Sequence, residues 1–92
     1  MIARRVVVHG RVQGVGYRDA MCEAVRDARV QGWVRNRREG TVEALVQGDP
    51  AAVEALVAWC RRGPPAARVT SVVVHETEVD GAVAGFLVTR TV

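Results

Sequence analysis

An α+β sandwich, ordered β-α-β-β-α-β with a short extra strand at the C-terminal end, is the fold this sequence predicts. Three observations predict it. Valine-rich runs of strand length alternate with two stretches whose apolar residues recur at helical spacing. The two middle strand runs are joined by a short polar connection, Asn36-Arg37-Arg38-Glu39-Gly40, as in a hairpin. The 92 residues suffice for one small domain, spanning 1–92, and not for two. Two helices should cover one face of an antiparallel sheet. A right-handed crossover then sets the third strand between the first two.

Each element has a local reason. Ile2 to His9 is β-branched and nearly continuous, which predicts a central strand. Asp19 to Ala28 carries Ala20, Met21, Ala24, Val25 and Ala28 on one helical face. Gly32 closes that region and opens a second strand, Trp33 to Asn36. After the hairpin, with Gly40 expected at positive φ, Thr41 to Gln47 alternates: Val42, Ala44 and Val46 against Thr41, Glu43, Leu45 and Gln47. Asp49 as N-cap and Pro50 at the first helical position start a second helix. It runs to about Arg62, with Val53, Leu56, Val57 and Cys60 at helical spacing, and Gly63-Pro64-Pro65 stops it. Arg68 to Val79 forms a long strand, Asp80-Gly81 a turn, and Gly85 to Thr91 a last strand.

The segment Gly10-Arg11-Val12-Gln13-Gly14-Val15-Gly16-Tyr17-Arg18 links the first strand to the first helix. Its three glycines admit backbone conformations closed to other residues. Such a loop can turn several N–H groups inward as an anion nest beside a helix N-terminus. Arg18 at its mouth offers a planar fork of donors suited to phosphate. Lengths then bring Asn36 to the same place. A helix of about ten to twelve residues descends roughly 15–18 Å, and a five-residue strand climbs back about 16 Å. A carboxamide accepts and donates at once, so Asn36 can hold a water in line with a bound phosphoryl group. It is too weakly basic to take that water's proton. The pattern therefore suits a substrate that needs little acid or base help, such as an acyl phosphate, whose carboxylate leaves readily.

Composition excludes several alternatives. All thirteen basic residues are arginine, so Schiff-base chemistry and a Walker lysine are absent. Cys22 and Cys60 lack metal-ligand spacing, neither begins a C-x5-R loop, and both are expected as buried thiols in helices. No His/Asp/Glu cluster suggests a metal, and no cofactor is expected. His9 and His75 lie in strands without a triad partner, and Ser71, the only serine, has no elbow motif. Tyr17 and Trp33 read as packing residues. The arginines at 35, 37, 38, 61, 62 and 68 read as a solvated basic surface. The net charge of +3 suits a small anion and does not call for nucleic acid. No apolar run reaches the roughly 20 residues of a membrane span, and Arg4 and Arg5 precede only three valines, unlike a signal peptide. A cytoplasmic location is expected.

On these residues the chain resembles the acylphosphatases. The first motif is the glycine-rich segment ending at Arg18. The second is Gly32-Trp33-Val34-Arg35-Asn36, followed by Gly40 and Val42. Gly63-Pro64-Pro65-Ala66-Ala67-Arg68-Val69 is also similar to bacterial members, and the resemblance covers the whole chain. Two details depart from common members: Glu39 stands where Asp often precedes the turn glycine, and Gly16 where some carry a bulkier residue. The resemblance implies a ferredoxin-like fold and metal-free hydrolysis of the carboxyl–phosphate bond of small acyl phosphates. Arg18 would bind phosphate, Asn36 would orient the attacking water, and the backbone of Arg11, Val12, Gln13, Gly14, Val15 and Gly16 would cradle the anion. Phosphate or sulfate would be able to occupy the loop. A monomer without nucleic-acid or membrane partners is expected.

The competing reading is a non-catalytic anion- or RNA-binding module, because the same architecture serves such domains. A base-stacking sheet needs exposed aromatics, and Tyr17, Trp33, Trp59 and Phe86 follow no such order. A third reading is an acylphosphatase-like module assisting a carbamoyl-transfer protein.

Overall fold

All the strands of this chain join one sheet, in the order β4 (Arg68–Thr77), β1 (Ile2–Arg11), β3 (Val42–Gly48), β2 (Val30–Asn36), β5 (Phe86–Val88). The structure, a computed structural model, describes residues 1–92. The elements are β1 (Ile2–Arg11), α1 (Tyr17–Ala24), β2 (Val30–Asn36), β3 (Val42–Gly48), α2 (Pro50–Arg62), β4 (Arg68–Thr77) and β5 (Phe86–Val88). As expected, β3 lies between β1 and β2 and is antiparallel to both. The strands β4, β1, β3 and β2 form the expected antiparallel sheet, and the short extra strand β5 joins its edge parallel to β2. The sheet is therefore mixed. With β4 and β5 at opposite edges, the segment between them must cross the full width of the sheet.

Strand alternation assigns the two faces. Val6 and Val8 of β1, Val34 of β2, and Val42, Ala44 and Val46 of β3 share a core with Tyr17, Met21 and Val25 and with Val53, Leu56 and Cys60. Both helices thus pack on one face. The opposite face of β3 does not meet solvent as simple alternation suggests: Glu43, Leu45 and Gln47 are buried as well. No helix is long and apolar enough to cross a membrane.

Several boundaries differ from the sequence expectation for identifiable reasons. Helix α1 begins at Tyr17, so Arg18 belongs to its first turn. It ends at Ala24, where Arg26 to Arg29 are exposed and the chain tightens into i−3 turns (Arg26 N–H to Glu23 O, 3.2 Å; Ala28 N–H to Val25 O, 3.0 Å). Strand β2 begins at Val30, with Gly32 inside it and not at a helix end. A Cβ there would lie 1.8 Å from the Leu45 carbonyl oxygen, so only glycine allows β2 and β3 to approach so closely. Asp49 occupies the N-cap position of α2, but its carboxylate makes no capping hydrogen bond. Strand β1 runs on to Arg11, and its register against β4 shifts between His9 and Gly10. That irregularity lies where the strand enters the glycine-rich loop, a common use of a bulge.

A candidate anion site at one end of the sheet

Loop 12–16 leaves β1, turns over the end of the sheet and feeds α1. Val12 is buried and fixes its root. Gly14 (φ 73°) and Gly16 (φ 77°) hold left-handed conformations, and Gly16 is the N-cap of α1. A Cβ at either would meet nothing within 4 Å, so backbone conformation and not space selects glycine here. No side chain caps α1. The first intrahelical bond is Ala20 N–H to Gly16 O at 3.0 Å, and no backbone N–H of residues 12–16 donates to another backbone carbonyl. The loop and the helix start therefore present a run of unpaired donors, the arrangement that attracts anions.

A cavity of about 90 Å³ forms there, lined by Val12, Gln13, Gly14, Gly16, Tyr17, Arg18, Asp19 and Asn36. Arg18 makes no salt bridge. Asn36, the last residue of β2, lines the same cavity. Its Oδ1 is buried and accepts no hydrogen bond. A buried acceptor without a partner costs about 1–3 kcal/mol, and at the wall of a polar cavity it points to a function.

Six of the eight residues singled out from sequence come together around this cavity: Arg18, Asn36, Val12, Gln13, Gly14 and Gly16. Arg11 and Val15 do not line it. Arg11 is the last residue of β1, paired with Arg68 and exposed, while Val15 packs against the core. Tyr17 and Asp19 line the cavity and were not singled out as site residues. Tyr17 forms a wall but is otherwise engaged. It is 2% exposed, its hydroxyl donates to the Cys60 carbonyl at 2.7 Å, and its ring lies 5.3 Å from that of Trp59. Burial, then the neighbouring Cys60, pushes its ionisation well above the ordinary tyrosine range, so it supplies no proton near neutrality. Asp19 is exposed. Neither histidine, Ser71 nor either cysteine lines the cavity. Cys60 is buried in α2, where burial pushes its thiol up to about 11. Cys22 is only half-buried.

Two polar contacts around the site were not legible. Gln13 donates from Nε2 to the carbonyls of Arg37 (2.7 Å) and Thr41 (3.0 Å) in the β2–β3 hairpin. Glu43, behind Asn36 on the helix-free face, takes three arginines: Arg5 at 2.9 Å, Arg35 at 2.7 Å and Arg37 at 3.1 Å. Arg35 and Arg37 are therefore structural cations and not simply a solvated surface; Arg35 also stacks over Trp33 at 4.4 Å. Burial pushes the Glu43 carboxyl up, but hydrogen bonds from Arg35, Arg5 and Arg37 outweigh it and hold it below the usual carboxylate range. Glu43 was readable only as one polar member of an alternating strand.

Comparison with known proteins gives the family and the fold. The acylphosphatase family model matches residues 4–88. An acylphosphatase of Acidovorax sp. (strain JS42) is 59% identical over 75 residues, which cover 82% of this chain and 77% of that protein. The crystal structure of an acylphosphatase from Bacillus subtilis superposes with a TM-score of 0.92 at 33% identity, covering 98% of this chain and all (100%) of that one. A full-length HypF, described in its phosphate- and nucleotide-bound form, contains a similar unit: the TM-score is 0.87 at 26% identity, over 98% of this chain and 12% of HypF.

Proposed function

The chain belongs to the acylphosphatase family and is an acylphosphatase; from that premise we propose that it hydrolyses small acyl phosphates without a metal, through Arg18, the 12–16 loop and Asn36. In this reading the loop amides and the guanidinium of Arg18 take the three non-bridging phosphoryl oxygens. Charge on those oxygens is stabilised by donors already in place, so little reorganisation accompanies reaction. Asn36 receives a hydrogen bond from the attacking water at its unpartnered Oδ1 and holds it on the side of phosphorus opposite the leaving carboxylate. The water oxygen bonds to phosphorus as the phosphorus–carboxylate oxygen bond breaks. The products are a carboxylate and inorganic phosphate, and the water's protons end on phosphate. No titratable side chain is needed as a base, because the carboxylate leaves readily and the transition state is loose.

The observation that carries this reading is the buried, unpartnered Oδ1 of Asn36 at a small cavity also lined by Arg18, an arginine without an ion pair. The enzyme would act as a cytoplasmic monomer on small acyl phosphates, with phosphate or sulfate competing for the loop. The test is benzoyl phosphate hydrolysis in EDTA. Wild type is expected to turn over rapidly. Asn36→Ala should lose about 100-fold, the scale of a misplaced reactant, while phosphate still inhibits as in wild type. Normal turnover by Asn36→Ala would remove the water-holding role, and recovery only on adding a divalent metal would remove the metal-free mechanism.

A further inference from the structure

Loop 12–16 and the β2–β3 hairpin are separate pieces of chain. One carries the donors proposed for phosphate, and the other follows Asn36 directly. The Gln13 side chain joins them. Its Nε2 hydrogens go to the Arg37 carbonyl (2.7 Å) and the Thr41 carbonyl (3.0 Å). Two carbonyl oxygens facing one amide end require that end to be the –NH2, which fixes the orientation of the group. The two acceptors are the residues that close the turn: Arg37 N–H donates to Thr41 O at 2.8 Å, and Gly40 N–H to Arg37 O at 3.0 Å. Arg37 and Thr41 adjoin Asn36 and Val42, which face each other across β2 and β3. Gln13 therefore grips the hairpin one residue beyond Asn36 on each strand. No other side-chain hydrogen bond ties loop 12–16 to the hairpin.

We propose that Gln13 is a positioning residue, whose amide sets the separation between the phosphate cradle and the carboxamide of Asn36. The inference rests on the roles given above to the cradle and to Asn36. In-line attack needs water and phosphorus aligned, and a displacement of about 1 Å costs on the order of 100-fold. The loop's own donors and Arg18 lie on the cradle side of the joint. Cutting the joint therefore moves Asn36 relative to phosphate without removing any group that holds phosphate.

The test measures kcat and phosphate inhibition for Gln13→Ala and Gln13→Glu, alone and with Asn36→Ala. Gln13→Ala should lower kcat by about 10- to 100-fold and leave the inhibition constant for phosphate near the wild-type value. In the Asn36→Ala background the same change should cost almost nothing more, since the residue it positions is gone. Gln13→Glu has the same shape but turns a carboxylate toward two carbonyls. Its kcat relative to wild type should be low at alkaline pH and rise as the carboxyl gains a proton to donate, whereas Gln13→Ala stays level. An equal loss from Gln13→Ala in both backgrounds would overturn the proposal, as would a phosphate constant that weakens as much as kcat falls. Asn36→Ala turning over normally by itself would instead overturn the site assignment beneath it.

Discussion

Asn36 and Gln47 carry the same functional group at opposite ends of the sheet, and the fold treats them oppositely. Gln47, 0% exposed on the helix-free face of β3, uses both halves of its amide on one residue of the β4–β5 crossing. Its Nε2 donates to the Asp80 carbonyl at 2.8 Å, and its Oε1 accepts from the Asp80 N–H at 2.9 Å. Asn36 has a buried Oδ1 with no donor at all. The arginines divide the same way: Arg5, Arg35 and Arg37 converge on Glu43, while Arg18 has no carboxylate. The one other buried side-chain oxygen without a partner, Thr89 Oγ1, also lies toward the Asn36 end, since the Thr89 N–H pairs with Val34 O at 2.9 Å. The lesson is that saturation separates scaffold from site. Where polar groups hold the fold together they satisfy one another, and at the candidate cavity Asn36 Oδ1 and Arg18 have no partner within the protein, as the proposed ligand site requires.

The comparison breaks most sharply at Arg18. A cation without an internal partner contributes little to folding, so Arg18→Ala should shift the unfolding free energy by no more than about 0.5 kcal/mol. Its effect on turnover should be roughly 1,000-fold, the upper range for deleting one preorganised donor, and phosphate should cease to inhibit. Urea unfolding and benzoyl phosphate kinetics on the same preparation check both halves. A variant that unfolded much more readily would place Arg18 with the scaffold.

Gln47 provides the converse. Gln47→Leu keeps the volume but strands the Asp80 N–H and carbonyl beneath the crossing segment. About 2 kcal/mol of stability should be lost, with kcat and KM unchanged. Loss of activity in a folded Gln47→Leu protein would mean that the two ends of the sheet are coupled.

The gathering of Arg18, the 12–16 loop and Asn36 around one cavity was readable in the sequence because it depends on few quantities. Helix α1 is shorter than its apolar pattern suggests, but β2 starts correspondingly earlier, at Val30. The hairpin after Asn36 fixes where β2 must end, so Asn36 reaches the loop either way. The scaffold's polar contacts were not readable. That Glu43 and Gln47 are buried depends on what crosses the second face of β3, and alternation along a strand says only which residues share a face. The direction of β5 was equally hidden: it has three residues, and a segment crossing the whole sheet can enter the far edge either way. Gln13 was visible as a loop residue, but its partners lie 24 and 28 positions away, so no local pattern marks its side chain as a tie.

Tyr17 sharpens the comparison because it belongs to both regions. It lines the candidate anion cavity, yet its hydroxyl is satisfied by the Cys60 carbonyl at 2.7 Å. If saturation is the criterion, Tyr17 is scaffold despite its address. Tyr17→Phe should then cost about 1 kcal/mol of stability by orphaning that carbonyl, while turnover stays near wild type. Linkage gives a second signature. Burial raises the tyrosine's ionisation in the folded state, so the unfolded chain loses its proton first. The stabilising contribution is complete below the ordinary tyrosine value of about 10 and falls away as pH rises from there toward the raised folded-state value. The stability gap between wild type and Tyr17→Phe should therefore narrow in alkali. A smaller alkaline loss from Cys60, whose thiol is pushed up to about 11, should persist in both proteins. A turnover defect in Tyr17→Phe as deep as that of Arg18→Ala would show that position in the cavity, and not saturation, decides which residues do chemistry here.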